Sequence, residues 1–221
     1  MSKCVLFDLD ETLFDRTQTL RQFLTTQFVR FQDKLGNTDG QTWVDRFVQM
    51  DARGATPKRD LYPAILKTFG GAAAAAVELI DDYYERSARH AITMPGLSEV
   101  LSELEARRVR VGVVTNGEAA LQTRTLDALG LIARVPVILI SETFGQKKPA
   151  PAIFTAAARD LGAAPSECIF VGDNPETDIL GAFQANMLTA WFNPAGEPWP
   201  INLRPNPGPE LRQLRDVVRL L

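Results

Sequence analysis

Short apolar runs alternate with stretches of helical periodicity from Met94 onward. Strands that are buried on both faces are apolar along their whole length, and such runs stand at residues 109–114, 135–140, 168–172 and 188–192. An earlier run spans Lys3 to Phe7. Between the runs, apolar residues recur every three or four positions, which is typical of helices that pack on a sheet. The alternation predicts an α/β fold in which helices cover a parallel sheet.

Residues 17–90 contain no run that predicts a strand, and their apolar residues follow a helical pattern instead. One amphipathic face consists of Leu20, Phe23, Leu24, Phe28 and Phe31, and three further helices are predicted after it. We therefore assign residues 1–16 and 91–221 to the sheet-containing core and residues 17–90 to an inserted helical bundle. Near the end, a Pro- and Gly-rich stretch predicts an irregular surface segment, followed by a short helix over Glu210 to Leu221.

Composition and charge narrow the class of function. The 221 residues are 45% hydrophobic and 23% charged, with a formal net charge of -3, which argues against a nucleic-acid-binding protein and favours a small partner. Cys4 and Cys168 lie inside apolar runs, which indicates buried thiols in a reducing compartment. No run of about 18 apolar residues predicts a membrane span. We expect a cytoplasmic protein that binds neither nucleic acid nor membrane; the sequence leaves monomer and dimer open.

Polar side chains follow the predicted strands at their carboxyl ends, where ligands bind in α/β sheets. Each of them alone has an ordinary explanation as a turn or cap residue. They are Asp8 and Asp10, Thr115 and Asn116, Lys148, and Asp173 and Asp178. Four aspartates beside one lysine repel one another, so a hard divalent cation is expected. Oxygen ligands without histidine or cysteine favour Mg²⁺, which commonly bridges to a phosphate.

These segments carry a resemblance to the haloacid dehalogenase-like (HAD) superfamily. The matching motifs, in chain order, are DLDETLFD at 8–15, VVTNG at 113–117, KKPAPAIF at 147–154 and VGDNPETD at 171–178. The resemblance covers essentially the whole chain and implies a Rossmann-like three-layer core. The helical insertion between the first two motifs resembles the α-helical cap of one subfamily. The implied activity is that of a phosphatase acting on a small phosphorylated metabolite.

The resemblance also implies roles for the first motif. Asp8 would be the nucleophile that forms an aspartyl-phosphate, and Asp10 would protonate the leaving alkoxide and later activate water. Residues i and i+2 of an extended strand point to the same side, so both carboxylates can reach one phosphoryl group. Thr12 would orient the loop.

The other motifs would bind the phosphate and the metal. Thr115 and Asn116 resemble the phosphate-binding pair, which donates through a hydroxyl, an amide or a backbone N–H. Lys148 matches the motif lysine that neutralises both phosphate and nucleophile, whereas Lys147 is expected to be solvated. The implied magnesium ligands are Asp8, Asp173 and the backbone carbonyl of Asp10. Asp178 would hold either Lys148 or a metal-bound water.

Alternatives remain open at this point. A dehalogenase of the same superfamily has no alkoxide to protonate, so Asp10 favours phosphoryl transfer. A phosphomutase keeps both aspartates, and the motifs do not exclude it. A non-enzymatic phospho-acceptor module fits poorly, because such domains are shorter and lack a large helical insertion. Phe14, Asp15 and Arg16 lead into the helical insertion, where Arg16 is either a hinge or entrance residue or a surface charge. His90 is expected to be an ordinary linker or helix-end residue.

Overall fold

The computed structural model describes residues 4–204 and 206–221. These residues form two compact units. One unit comprises the described residues up to Asp15 together with Thr93–Leu221, and the other comprises Arg16–Ile92. We call them the core unit and the helical unit.

The helical unit is built from four α-helices, as the apolar periodicity predicts. Their bounds are α1 Arg16–Phe31, α2 Gly40–Asp51, α3 Lys58–Phe69 and α4 Ala75–Arg86. His90 ends a 3-10 turn after α4 and packs edge-on against Phe23, with ring centroids 5.9 Å apart. It is therefore a helix-end residue in this unit, as expected. No helix within the described residues is long and apolar enough to cross a membrane.

A buried ion-pair network lies inside the helical unit. The carboxylate of Asp51 is 1% exposed and lies 2.8 Å from an Arg16 guanidinium nitrogen and 2.5 Å from Lys58 Nζ. It also accepts the backbone N–H of Gly54 at 2.8 Å. Burial raises the pKa of Asp51, but the hydrogen bonds and positive charges of Arg16 and Lys58 outweigh burial and hold the pKa below its usual range. Arg16 is thus a paired residue, not an isolated surface charge.

The core unit contains a parallel six-stranded sheet with strand order β3-β2-β1-β4-β5-β6, and the predicted α/β fold is confirmed. The strands are β1 Cys4–Phe7, β2 Arg110–Thr115, β3 Val137–Ile140, β4 Cys168–Gly172, β5 Leu188–Phe192 and β6 Glu210–Leu211. All four residues of β1 are fully buried, because β1 has neighbours on both edges, whereas β3 is an edge strand and is only partly buried. Lys3, the first residue of the predicted opening strand, lies outside the described residues.

The helices of the core unit pack around this sheet. They are α5 Leu97–Ala106, α6 Ala119–Ala128, α7 Ser141–Phe144, α8 Pro151–Asp160 and α9 Gly181–Gln184. Helix α8 buries an apolar stripe against the central strands, where the rings of Phe154 and Phe170 meet edge to face with centroids 4.9 Å apart. Between β4 and α9, Pro175–Leu180 forms a π-helical turn. This packing fixes the strand ends that carry the polar motifs.

The predicted helix over Glu210 to Leu221 is wrong. Glu210–Leu211 is instead the edge strand β6, and a 3-10 helix spans Leu214–Leu220. Backbone groups at the open edge of β5 require partners, and Asn193 donates its N–H to the carbonyl of Leu211 at 2.8 Å. This tertiary pairing has no signature in the local sequence.

The Asp51 network generates a test of stability. Replacing Asp51 with Asn leaves two cations without their partner, and breaking a buried pair typically costs about 3–5 kcal/mol. We expect faster amide hydrogen exchange, measured by mass spectrometry, in peptides from α1, α2 and α3. Asp45→Asn is the matched control, because the Asp45–Arg21 pair is exposed, and exchange should then stay close to wild type.

The pH dependence follows from the lowered pKa of Asp51. A carboxyl whose folded pKa is depressed stabilises the fold fully above its unfolded pKa of about 4 and loses this contribution as the pH falls through the folded value. The difference in the free energy of unfolding between wild type and Asp51→Asn should therefore be largest at neutral pH and shrink below about pH 4. A difference that is constant with pH would contradict this assignment.

Candidate active site

The parallel strands bring the motif residues to one edge of the sheet. Asp8 follows the end of β1, Thr115 ends β2, and Asp173 follows the end of β4. The backbone N–H of Asp8 donates to the carbonyl of Val171 at 2.9 Å, so the pairing of β1 with β4 extends through the first site residue. The backbone position of Asp8 is therefore set by the sheet itself.

Lys148 lies between two buried carboxylates. Its Nζ is 2.5 Å from Asp8 Oδ1 and 2.8 Å from Asp178 Oδ1, and the lysine and Asp178 are 2% and 1% exposed. Burial lowers the pKa of Lys148, but the charges of Asp178 and Asp8 raise it by more, so the net pKa lies above the usual range. The ammonium is charged at neutral pH. Lys147, in contrast, is exposed, as expected.

The positive charge of Lys148 does not balance all the negative charges of the acidic cluster. Burial raises the pKa of Asp8 well above its usual range; Lys148 lowers it, and the charges of Asp178, Asp173 and Asp10 raise it further. One carboxylate oxygen each from Asp8, Asp173 and Asp178 lies within 4.8 Å of the others. A buried group of oxygen ligands that favours added positive charge fits a hard divalent cation.

The geometry separates the roles of the acidic residues. Asp178 binds Lys148 through Oδ1 and accepts the backbone N–H of Asn174 through Oδ2 at 3.1 Å. Asp178 therefore contacts Lys148, which is one of the two partners predicted for it. A Cβ atom at Gly172 would lie 2.5 Å from Asp178 Oδ2, so the close approach of this carboxylate to the end of β4 requires glycine there. Trp191 Nε1 donates a hydrogen bond of 2.9 Å to the backbone carbonyl of Asp173.

The side chain of Asn116 holds the lysine loop. Its Oδ1 accepts the backbone N–H of Lys148 at 2.8 Å, and its Nδ2 donates to the carbonyl of Lys148 at 3.0 Å. This pair of bonds connects the loop after β2 with the loop that carries Lys148. The side-chain amide of Asn116 is one of the groups that the resemblance implies for phosphate binding, and it is hydrogen-bonded here to the backbone of Lys148.

The two other polar residues predicted in the first motif, Thr12 and Asp10, have different hydrogen-bond partners. Thr12 is fully buried, with Oγ1 3.4 Å from Asp8 Oδ2. Asp10 is half-buried, and its Oδ2 accepts a hydrogen bond from Gln122 Nε2 at 2.8 Å. Oδ1 of Asp8 therefore faces Lys148, while Oδ2 makes a long contact with Thr12.

Sequence reasoning missed Gln122. This residue lies on α6 and is 4% exposed, and besides Asp10 it contacts the hydroxyl of Thr115 at 2.8 Å and the carbonyl of Asn116 at 3.2 Å. A signal was present: Gln122 shares the buried stripe of α6 with Thr125 and Leu126, and a polar side chain on a buried stripe needs partners. Trp191 carried no comparable signal.

A profile of haloacid dehalogenase-like hydrolases matches residues 2–186. The chain belongs to the haloacid dehalogenase-like hydrolases. The predicted family is thereby confirmed.

Several curated relatives of this HAD-like hydrolase are named phosphatases. It is 30% identical over 208 residues to the ribulose-1,5-bisphosphate 5-phosphatase of Halopiger xanaduensis, covering 89% of this chain and 87% of that protein. Other matching curated proteins are also named phosphatases. The predicted enzyme class, a hydrolase of phosphoric monoesters, is confirmed at this level.

Two solved structures show the fold of this HAD-like hydrolase. The 2-haloacid dehalogenase of Pseudomonas syringae aligns with a TM-score of 0.67 at 28% identity, covering 100% of this chain and 98% of the other. The HAD-hydrolase YfnB of Bacillus subtilis aligns with a TM-score of 0.78 at 22% identity and the same coverage. A named dehalogenase thus shares the fold of a chain whose curated relatives include phosphatases, so the site residues must distinguish the two reactions.

The buried charges of this HAD-like hydrolase generate a prediction. Lys148→Met removes the cation between Asp8 and Asp178, and we expect a loss of about 3–5 kcal/mol in the free energy of unfolding at pH 7 without divalent metal. Urea denaturation measures this loss. It should shrink as the pH falls, because the unpaired carboxylates take up protons. The double variant Lys148→Met, Asp178→Asn removes one of the unpaired charges and should recover part of the loss; no recovery would contradict the electrostatic explanation.

Proposed function

We propose that this enzyme is a magnesium-dependent phosphatase that hydrolyses a small phosphomonoester through an aspartyl-phosphate on Asp8. The contact of Lys148 with Asp8 is the observation that carries the proposal. A lysine on Oδ1 neutralises the nucleophile and orients it, while Oδ2 makes a long contact with Thr12. A carboxylate is ionised without a base, so it needs this kind of positioning and charge compensation.

The first half-reaction transfers the phosphoryl group to the enzyme. Asp8 Oδ2 attacks phosphorus, the bond from phosphorus to the ester oxygen breaks, and Asp10 gives its proton to the leaving alkoxide. Lys148 and the hydroxyl of Thr115 contact the phosphoryl oxygens, and Asn116 adds its backbone N–H. The products are an alcohol and phospho-Asp8.

The second half-reaction restores the enzyme. Asp10, now ionised, takes a proton from a water molecule, and the water oxygen attacks phosphorus. The bond between phosphorus and Asp8 Oδ2 breaks, and inorganic phosphate leaves. Asp10 is protonated again and Asp8 is a carboxylate again, so the cycle is balanced in atoms and charge.

The acidic cluster would hold the metal. We assign Mg²⁺ to Asp8, Asp173 and the backbone carbonyl of Asp10, because the side chain of Asp178 is engaged by Lys148 and Asn174. When bound, the cation supplies positive charge that compensates the cluster and the incoming phosphate. Thr12 and Asp178 orient Asp8 and Lys148 without contacting substrate.

The helical unit is assigned as the cap. Residues 17–90 were predicted as an insertion between the first two motifs, and the compact unit Arg16–Ile92 corresponds closely to it. A lid that excludes water strengthens electrostatic interactions with phosphate, and its side chains select the organic part of the substrate. A small phosphorylated metabolite is the substrate class we propose.

Two rival reactions share this fold. A dehalogenase displaces halide from carbon and has no alkoxide to protonate, so the carboxyl of Asp10, held by Gln122, favours the phosphatase. A phosphomutase would return the phosphoryl group to a sugar, and product analysis separates it from a hydrolase.

Turnover of a panel of phosphomonoesters tests the proposal. We expect Mg²⁺-dependent release of phosphate, loss of turnover on addition of a chelator, and acid-stable incorporation of labelled phosphate only while Asp8 is present. Asp8→Asn should lower kcat at least about 10³-fold, because the nucleophile is lost. Wild-type activity of that variant would refute the mechanism, and chloride release from 2-chloropropionate without ester hydrolysis would support the dehalogenase.

The hydrogen bond from Trp191 to Asp173 tests the metal assignment. Trp191→Phe keeps an aromatic ring but removes the donor, and removal of groups that orient metal ligands weakens binding by about 10-fold or more. The Mg²⁺ concentration for half-maximal activity should rise. Trp199→Phe is the matched control, because Trp199 Nε1 donates to the carbonyl of Arg204; an equal effect of both variants would contradict the assignment.

A further inference from the structure

We propose that Gln122 is a positioning residue that fixes both the proton-transferring carboxyl of Asp10 and the hydroxyl of Thr115. The inference rests on the proposed phosphatase function and extends it to a residue outside the four motifs. Gln122 does not contact the reacting atoms and acts through these two residues.

The side-chain amide of Gln122 meets three oxygens. Nε2 lies 2.8 Å from Asp10 Oδ2, 2.8 Å from Thr115 Oγ1 and 3.2 Å from the carbonyl oxygen of Asn116. A carboxylate and a carbonyl are acceptors only, so the group that faces them must be the NH₂ end of the amide. The opposite orientation would place the amide oxygen against two acceptors. The donor role of Gln122 is therefore set by its surroundings.

This arrangement determines the direction of the Thr115 hydroxyl. Because Thr115 Oγ1 accepts from Gln122, its own hydrogen points away from the amide. Thr115 Oγ1 also lies 3.5 Å from the carbonyl oxygen of Asn116, which is too long for a good hydrogen bond. The hydroxyl is thus oriented as a donor for another oxygen, and a phosphoryl oxygen is the acceptor that the proposed reaction supplies.

The same amide also holds the carboxyl of Asp10. A hydrogen bond from a neutral amide to Oδ2 occupies that oxygen as an acceptor and fixes the side-chain rotamer. General acid catalysis depends on this geometry, since the acid must lie within hydrogen-bond reach of the leaving oxygen.

The chain holds Gln122 in place by two further means. The start of α6 is anchored by Glu142, whose Oε2 accepts the backbone N–H of Ala119 at 2.7 Å. Gly117 leaves the space that Gln122 needs, because a Cβ atom there would lie 3.0 Å from both Cγ and Nε2 of Gln122. Both features support an amide whose position is fixed before substrate binds.

The dependence of the rate on the leaving group tests the proposal. An alkyl phosphate needs protonation of its leaving oxygen, whereas 4-nitrophenyl phosphate has a good leaving group and needs little. General acid catalysis contributes about 10²–10⁴-fold, and mispositioning the acid should remove about 10-fold or more of it for an alkyl ester. We expect Gln122→Met, which keeps the length of the side chain but has no donor, to lower kcat/KM for glycerol phosphate by at least about 10-fold and for 4-nitrophenyl phosphate by less than about 3-fold.

Controls separate positioning from packing. Gln122→Glu has nearly the same shape but presents an acceptor to Asp10, so it should alter the ratio of the two kcat/KM values in the same direction. Thr125→Val changes another buried polar side chain of α6, whose hydroxyl donates to the helix carbonyl of Leu121 at 3.1 Å. It should leave the ratio unchanged.

The outcomes are distinct. Folded Gln122→Met or Gln122→Glu with the wild-type ratio of kcat/KM values, or an equal loss for both esters, would overturn the role of Gln122 and leave the phosphatase proposal intact. Failure of the wild-type enzyme to hydrolyse any ester of the phosphomonoester panel with Mg²⁺ present would instead overturn the proposed function.

Discussion

The buried ammonium of Lys148 between Asp8 and Asp178 is the interaction on which the site depends. The three residues come from distant parts of the chain, and each charge alone would be costly to bury. They are tolerated because the sheet, the lysine loop and the turn after β4 bring them together. Gly172 leaves room for Asp178, and Asn116 fixes the backbone of Lys148.

Many of the polar side chains at the strand ends form hydrogen bonds that hold other site residues in position. Asn116 binds the lysine loop, Trp191 binds the carbonyl of Asp173, and Gln122 binds Asp10 and Thr115. A site that stabilises a charged transition state works best when its dipoles and charges are already in position. Such supporting contacts explain why a few reactive groups require many polar neighbours.

The helical unit has a buried polar framework of its own. Gln27 is fully buried, accepts the hydroxyl of Tyr62 at 2.8 Å and donates to the carboxylate of Asp82 at 3.0 Å. Together with the Asp51 network, these contacts tie helices α1 to α4 to one another. The unit is therefore organised internally, which suits an insertion whose proposed task differs from that of the core unit.

The sequence alone determined the fold class and the edge of the sheet at which the polar motif residues meet; the reactive roles of these residues stay predictions. Those inferences succeeded because apolar runs and helical periodicity are local patterns, and parallel strands place their carboxyl ends together. The partners of the side chains were decided only by tertiary structure. Spacing along the chain does not predict the hydrogen bonds between Asn116 and the backbone of Lys148. It also does not predict the hydrogen bond from Gln122 to Asp10, which is 112 positions away. The edge strand at Glu210–Leu211 was likewise decided by tertiary structure. Its conformation depends on hydrogen bonds to the neighbouring strand, and local sequence preferences do not predict these bonds.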